Sequence, residues 1–346
     1  MTSGGVHGPI VDMLLASAEP SIRWKVRTQV LDEAPDSAAI VHLRNEIRSS
    51  ERVRWLLAPC FSAGRPGVYA KWQGAHWVLA ALADLGYPPG DTALHPLREQ
   101  VLGTWLDQSY YVEFEATAKS AAYRRRGVPV MRGRYRRCAS QQGNALWFLI
   151  MLGLADSRCG DLVERLLLWQ WPDGGWNCDK NPAADTSSFC ETLLPMKGLA
   201  AYSAKDAAAT AARRAAEVLL ARRLAYRVST GTLMHPEFAK LHYPLYWHYD
   251  VLGGLKGLAR SGHARRRALR RCTRPARVTT AGRRLACTRP LLPDVSEHRV
   301  ASRLRRLGRH KYPPRQPVGH RRRPRGTPRR RPPPAVRIGK RPDSLW

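Results

Sequence analysis

The chain has 346 residues and a mass of 38.9 kDa, enough for one large buried core or two smaller ones. Its net charge of +31 would suggest a nucleic-acid partner. Most of that charge lies after residue 262, however, where 27 Lys and Arg stand against 3 Asp and Glu, so the rest of the chain is only mildly basic. Seven cysteines without a CxxC pair exclude a disulfide scaffold, so we expect reduced thiols and a cytoplasmic location. The first twenty residues lack a basic segment, and no stretch reaches the ~18 apolar residues of a membrane span, so neither signal peptide nor transmembrane helix is predicted.

In chain order, residues 1–262 predict helices separated by Gly and Pro turns, beginning with one around residues 21–31. Some segments are apolar on most sides, as buried helices are, and these are residues 71–90, 139–158, 187–202 and 245–262. The segments between them have one apolar stripe and one charged face, and these are residues 96–108, 161–171 and 205–224. Residues 121–140 hold seven arginines and are expected to form a loop. Such recurring pairs predict an all-α array of helix pairs, open or closed into a ring.

Residues 263–346 form a tail rich in Arg and Pro, with 25 Arg but only 2 Lys. One interpretation is a basic arm that neutralises phosphates. The other interpretation is that the reading frame was lost before this segment. GC-rich DNA that is translated out of frame yields mainly Arg, Pro, Gly and Ala. Both predict a disordered tail beside a helical-repeat domain at 1–262.

The segment "LLLWQWPDGGWNCDKNP" (166–182) places Gln170, Gly174 and Trp176 in the pattern Q-x-x-x-G-x-W. This resembles the QW repeat of the terpenoid cyclase and protein prenyltransferase superfamily. "RRCASQQGNALW" (136–147) is also similar to bacterial squalene-cyclase-like proteins. The resemblance implies an α/α toroid, here an incomplete ring because few helix pairs are present. We expect the three motif residues to hold neighbouring helices together rather than to bind substrate.

The resemblance further implies a central cavity whose mouth is lined by the starts of the inner helices. The candidate catalytic residues there are Glu191, Asp250 and His248. A desolvated carboxyl can retain the proton that starts a cyclisation, and aromatic faces can stabilise a carbocation. The candidate ligand-binding residues are Trp72, His76, Trp77, Asn144, Tyr246, Trp247 and Tyr249.

Two motifs of the superfamily are absent from the sequence, DxDD for protonation and DDxxD for magnesium–diphosphate binding. Whether the chain is an enzyme is therefore left open. Cys190, His248 and Asp250 are weak candidates for the zinc site that the prenyltransferase β subunit implies, and we expect no metal or other cofactor.

We expect an isoprenoid or similar apolar ligand bound by a cyclase-like or prenyltransferase-like protein. The alternatives are a non-enzymatic helical-repeat binding protein and, third, association with nucleic acid through the tail. No partner protein is predicted.

Overall fold

The computed structural model describes residues 8–202 and 206–261, which are mostly α-helical. The tail predicted at 263–346 lies outside the described residues. The helices are α1 (Pro9–Leu15), α2 (Pro20–Gln29), α3 (Ala38–Ser49), α4 (Glu51–Leu57), α5 (Ala75–Leu85), α6 (His95–Trp105), α7 (Lys119–Ala122), α8 (Ala139–Met151), α9 (Cys159–Leu168), α10 (Phe189–Ala201), α11 (Asp206–Ala221) and α12 (Val251–Arg260). The strands are β1 (Glu113–Glu115), β2 (Val128–Met131) and β3 (Arg134–Tyr135). None of the helices within the described ranges is long and apolar enough to cross a membrane.

Buried and half-buried helices alternate along the chain, so the fold is helical and repeat-like, as predicted. Helices α5, α8 and α10 are buried on most of their faces. By contrast, α9 buries the stripe Cys159, Leu162, Val163 and Leu166, which is the i, i+3, i+4, i+7 spacing of a helix with one side on a core.

The contacts between helices arrange them in two layers. In the inner layer α5 packs on α8, α8 on α10, and α10 on α12. In the outer layer α6 packs on α5 and α8, α9 packs on α8 and α11, and α11 packs on α10. At the amino-terminal side, α2 packs on α3, and both α2 and α4 pack on α5.

The closest approach of two helices lies between α8 and α10. A Cβ added to Gly143 would lie 2.3 Å from the Cα of Pro195, and one added to Gly198 would lie 2.4 Å from the carbonyl oxygen of Gly143. Pro195 stands inside α10 and turns its nitrogen, which carries no hydrogen, toward this contact. Glycine at both positions therefore lets the two backbones touch.

A small sheet interrupts the helical array where the arginine-rich loop was predicted. Strand β2 pairs in parallel with β1 and antiparallel with β3. The two-residue hairpin between β2 and β3 has positive φ at Arg132 (52°) and Gly133 (67°), as its tight turn requires. The prediction of a loop was wrong here because the alternating Val128 and Val130 pair with neighbouring strands.

The last predicted buried helix also differs from expectation. It begins at Val251 rather than at residue 245, and it buries only Gly254, Gly257 and Leu258. The carboxylate of Asp250 caps its first turn, because Oδ1 accepts a hydrogen bond from the backbone N–H of Gly253 at 2.7 Å. The preceding aromatic residues therefore lie outside the helix.

Candidate functional site

A buried polar cluster lies where α8 and α10 begin. Glu191, in the first turn of α10, is 5% exposed. Its carboxylate accepts hydrogen bonds from the backbone N–H of Ser140 at 2.9 Å and from the Ser140 hydroxyl at 3.1 Å. The partially positive start of α8 thus faces the acid. Burial raises the pKa of Glu191, and it outweighs the hydrogen bonds from Ser140, which act in the opposite direction.

Two thiols complete this cluster. Cys178 lies 3.4 Å from Oε1 of Glu191, and the ligand atoms of Cys138, Cys178 and Glu191 all lie within 4.8 Å of one another. The neighbouring Cys138 thiol, burial and Glu191 raise the pKa of Cys178 well above its usual value. The Cys178 thiol is therefore held in the protonated form beside the carboxyl.

Within the described residues, these three side chains are the group close enough to share a metal ion. The set proposed from the sequence, Cys190, His248 and Asp250, does not form such a group. Burial raises the pKa of Cys190 to about 12, and His248 is exposed. Among the described residues, these three weak candidates for zinc therefore do not lie together as a metal-binding group.

Tyr69 connects the polar cluster to aromatic side chains. Burial, and to a lesser extent Cys138 and Glu191, raise the pKa of its phenol, which places that phenol near the cluster. Its ring lies 5.1 Å from His76 and 4.8 Å from Trp77, measured between centroids. Tyr69 therefore packs on aromatic rings and interacts electrostatically with the polar cluster.

His76 is a fully buried ring held by two hydrogen bonds. Nε1 of Trp105 donates to its Nδ1 at 3.1 Å, and the amide of Asn144 contacts its Nε2 at 3.2 Å. Burial lowers the pKa of His76 to about 3, so the ring is neutral at physiological pH. His76 and Asn144 therefore position the start of α5 against α8.

Five rings form a continuous column, which we call the aromatic stack: Tyr246, Trp72, Trp247, His248 and His242. Trp72 lies 3.6 Å from Tyr246 and 4.6 Å from Trp247, and His248 lies 4.8 Å from Trp247 and 4.9 Å from His242. Trp72 and Tyr246 both have positive φ, 68° and 46°, which is costly for bulky side chains. Stacking holds these two residues in a backbone conformation that they would otherwise avoid.

Trp77 lies between the aromatic stack and Tyr69. Its ring is 5.2 Å from Trp72 and 4.8 Å from Tyr69, and its side chain is 2% exposed. A path thus runs from Glu191, through its electrostatic interaction with Tyr69, and then through ring contacts from Tyr69 to Trp77 and the aromatic stack.

Most of the predicted ligand-binding residues meet around this path, but two of the predicted residues have other partners. The hydroxyl of Tyr249 donates to the carbonyl oxygen of Leu224 at 2.8 Å, in the core. The second oxygen of Asp250 accepts from the backbone N–H of His242 at 2.7 Å, so the buried Asp250 holds two backbone groups. The structure therefore gives Asp250 a capping role.

Replacing Asp250 by Ala is expected to lower the free energy of unfolding by roughly 2 kcal/mol, because two partly buried N–H groups lose their buried acceptor. Urea denaturation measures this change. Asp107 provides the control: it caps a turn through the N–H of Ser109 but is exposed, and its replacement by Ala is expected to cost at most about 1 kcal/mol. Equal losses in both variants would contradict the role of Asp250.

The repeat motif lies between α9 and α11. Nε2 of Gln170 donates to the carbonyl oxygens of Gly174 at 2.8 Å and of Ala211 at 2.9 Å, so it joins the turn to α11. Gly174 has a φ of 100° and leaves no room for a Cβ. The buried Trp176 donates from its indole to the carbonyl oxygen of Leu166 in α9. All three residues thus contact helices or turns.

Sequence reasoning missed Tyr69, Ser140 and the contact of Cys138 with Cys178. Ser140 was detectable in principle, because a hydroxyl and free N–H groups at a helix start favour a carboxylate. The meeting of the two thiols depends on how α8 and α10 pack, which no local pattern encodes.

An open cleft of about 450 Å³ lies elsewhere, beside the amino-terminal helices. It is lined by Leu15, Arg23, Arg27, Leu31, Glu33 and Leu43. None of these residues belongs to the path described above.

Comparison with known proteins found no matching family model, no matching curated protein and no matching solved structure.

Proposed function

We propose that the protein is terpenoid-cyclase-like or prenyltransferase-like and binds an isoprenoid or a similar apolar ligand, with its helix pairs arranged as part of an α/α toroid. The single observation that carries this proposal is the path from the buried Glu191 through Tyr69 and Trp77 to the aromatic stack. In this path a buried acid interacts with Tyr69, the first of a series of aromatic side chains.

In this proposal Glu191 is the proton donor. Burial raises its pKa, so the carboxyl keeps its proton to a higher pH than a solvated glutamate does. The proton would pass from Glu191 to a terminal alkene carbon and leave a tertiary carbocation. A second double bond would attack that cation, and loss of a proton from the product would restore the acid, so the reaction is redox-neutral.

The aromatic side chains would bind the apolar chain and stabilise the positive charge. The face of an aromatic ring attracts a cation, and Lys71 already lies over the ring of Trp247 at 4.6 Å. Asp250 is not the donor in this proposal, because both of its oxygens accept from backbone N–H groups.

The test is to incubate the purified protein with squalene and with prenyl diphosphates and to analyse the organic extract for cyclic or transferred products. Binding of a fluorescent isoprenoid analogue is measured in parallel. Product formation supports an enzyme. Binding without product supports the non-enzymatic binding protein, and absence of both overturns the proposal.

Replacing Trp247 by Ala is expected to weaken binding of the isoprenoid analogue about tenfold, because a desolvated stacking surface is lost. Trp55 in α4 gives a matched control, since it is a tryptophan with 66% exposure outside the aromatic stack. Its replacement by Ala should leave the dissociation constant unchanged. Equal weakening in both variants would place the ligand elsewhere.

A further inference from the structure

A second group of charged side chains surrounds Asp84, at the end of α5. Nζ of Lys25, on α2, pairs with Oδ2 of Asp84 at 2.8 Å and lies 3.4 Å from the hydroxyl of Tyr243. Asp84 also interacts electrostatically with Lys197 of α10 and Lys256 of α12. Helices α2, α5, α10 and α12 thus bring their charges together around one carboxylate.

Trp147 of α8 contacts both Lys197 of α10 and a further cation, Arg260 of α12. Nζ of Lys197 lies 3.7 Å from its ring centroid, and the guanidinium carbon of Arg260 lies 5.6 Å from the same centroid. Trp147 is 4% exposed, so its ring is buried in the protein interior and does not lie on the surface. The two cations therefore share a single aromatic side chain.

The charges in this group do not balance. Asp84 is paired with Lys25, and among the residues that the structure describes no carboxylate lies within ion-pair distance of Lys197, Lys256 or Arg260. Burial and the repulsion from Arg260 and Lys256 lower the pKa of Lys197 to about 7. Lys197, Lys256 and Arg260, on two neighbouring helices, thus repel one another, and Lys197 and Arg260 share the ring of Trp147.

We propose that Lys197, Lys256 and Arg260 form a binding site for a phosphate or diphosphate group. An anion between them would neutralise the excess charge, and Arg and Lys side chains are the usual donors to phosphate oxygens. Trp147 would form the apolar side of the site. This site involves neither Glu191 nor the aromatic stack, so it does not depend on the function proposed above.

The test is isothermal titration of the full chain with inorganic pyrophosphate, comparing wild type with Lys197→Met. Lys71→Met is the matched control, because it removes the same charge from an exposed lysine outside the group and leaves the arginine-rich tail unchanged. We expect a binding step that weakens at least tenfold in Lys197→Met and stays at wild-type strength in Lys71→Met.

A second variant keeps the test decisive if the first does not fold by circular dichroism. Arg260 is an exposed residue at the end of α12, so Arg260→Gln should fold, and it should also weaken pyrophosphate binding at least tenfold. If Lys197→Met folds and binds pyrophosphate as tightly as the wild type, the proposal is overturned. If Lys197→Met does not fold, the same result in Arg260→Gln overturns it. Absence of any binding step in the wild type, or equal loss in Lys71→Met, would overturn it as well.

Discussion

Replacing Gly143 by Ala is expected to destabilise the protein by about 3 kcal/mol, a large effect for the addition of one methyl group. The added Cβ would lie 2.3 Å from the Cα and 2.4 Å from the nitrogen of Pro195, and both are backbone atoms that cannot rotate away. Helices α8 and α10 would have to separate, which also disturbs the hydrogen bonds between Ser140 and Glu191. The midpoint of urea unfolding measures the loss.

Gly103, on the exposed side of α6, provides the opposite control. A Cβ there meets no atom within 4 Å, so Gly103→Ala should gain helix propensity and stabilise the protein by about 1 kcal/mol. If Gly143→Ala were as stable as the wild type, the close contact of α8 with α10 would be wrong.

The second large effect is expected for Glu191→Gln. If the wild type forms a cyclic product, this variant should form it roughly 10²- to 10⁴-fold more slowly, because the proton donor is lost. The amide keeps the shape of the carboxyl and can still accept from Ser140, so the fold should remain. Product formation by the wild type should fall as pH rises through the pKa of Glu191, which burial raises, because only the protonated form donates.

Glu237→Gln is the control, because it also removes one carboxylate but from the protein surface, where 46% of the Glu237 side chain is exposed. Its rate should equal that of the wild type. An active Glu191→Gln variant would exclude the acid role. Stoichiometric zinc in the purified protein would instead assign Cys138, Cys178 and Glu191 to a metal.

The helical part of the fold was predictable where the hydrophobic pattern was strong. The all-round apolar segments that contain α5, α8 and α10 and the stripe of α9 are helices in the structure. The pattern misled at residues 245–250, whose aromatic residues are as apolar as a buried helix. The rings of Tyr246 and Trp247 instead pack on Trp72, about 170 residues earlier in the chain, and no local periodicity shows such a contact.

For the site, the sequence indicated Glu191 as a candidate acid because it stands at the start of an apolar helix. The sequence could not show that both oxygens of Asp250 accept from backbone N–H groups, because those groups belong to Gly253 and His242 and meet Asp250 only in the folded chain. Nor could it place Ser140 beside Glu191, since that distance depends on the glycine contact between α8 and α10. The ring arrangement of the helix pairs remains a prediction.

The glycine contact has a consequence for access to the acid. Where the backbones of α8 and α10 touch at Gly143 and Pro195, the gap does not admit a methyl group, so no small molecule can pass between the two helices at that level. A ligand of the kind proposed above would therefore have to reach Glu191 by another route. In the function proposed above, the ligand would pass beside the rings that join Tyr69 to Trp72, and their separation would then govern how fast it exchanges with solvent.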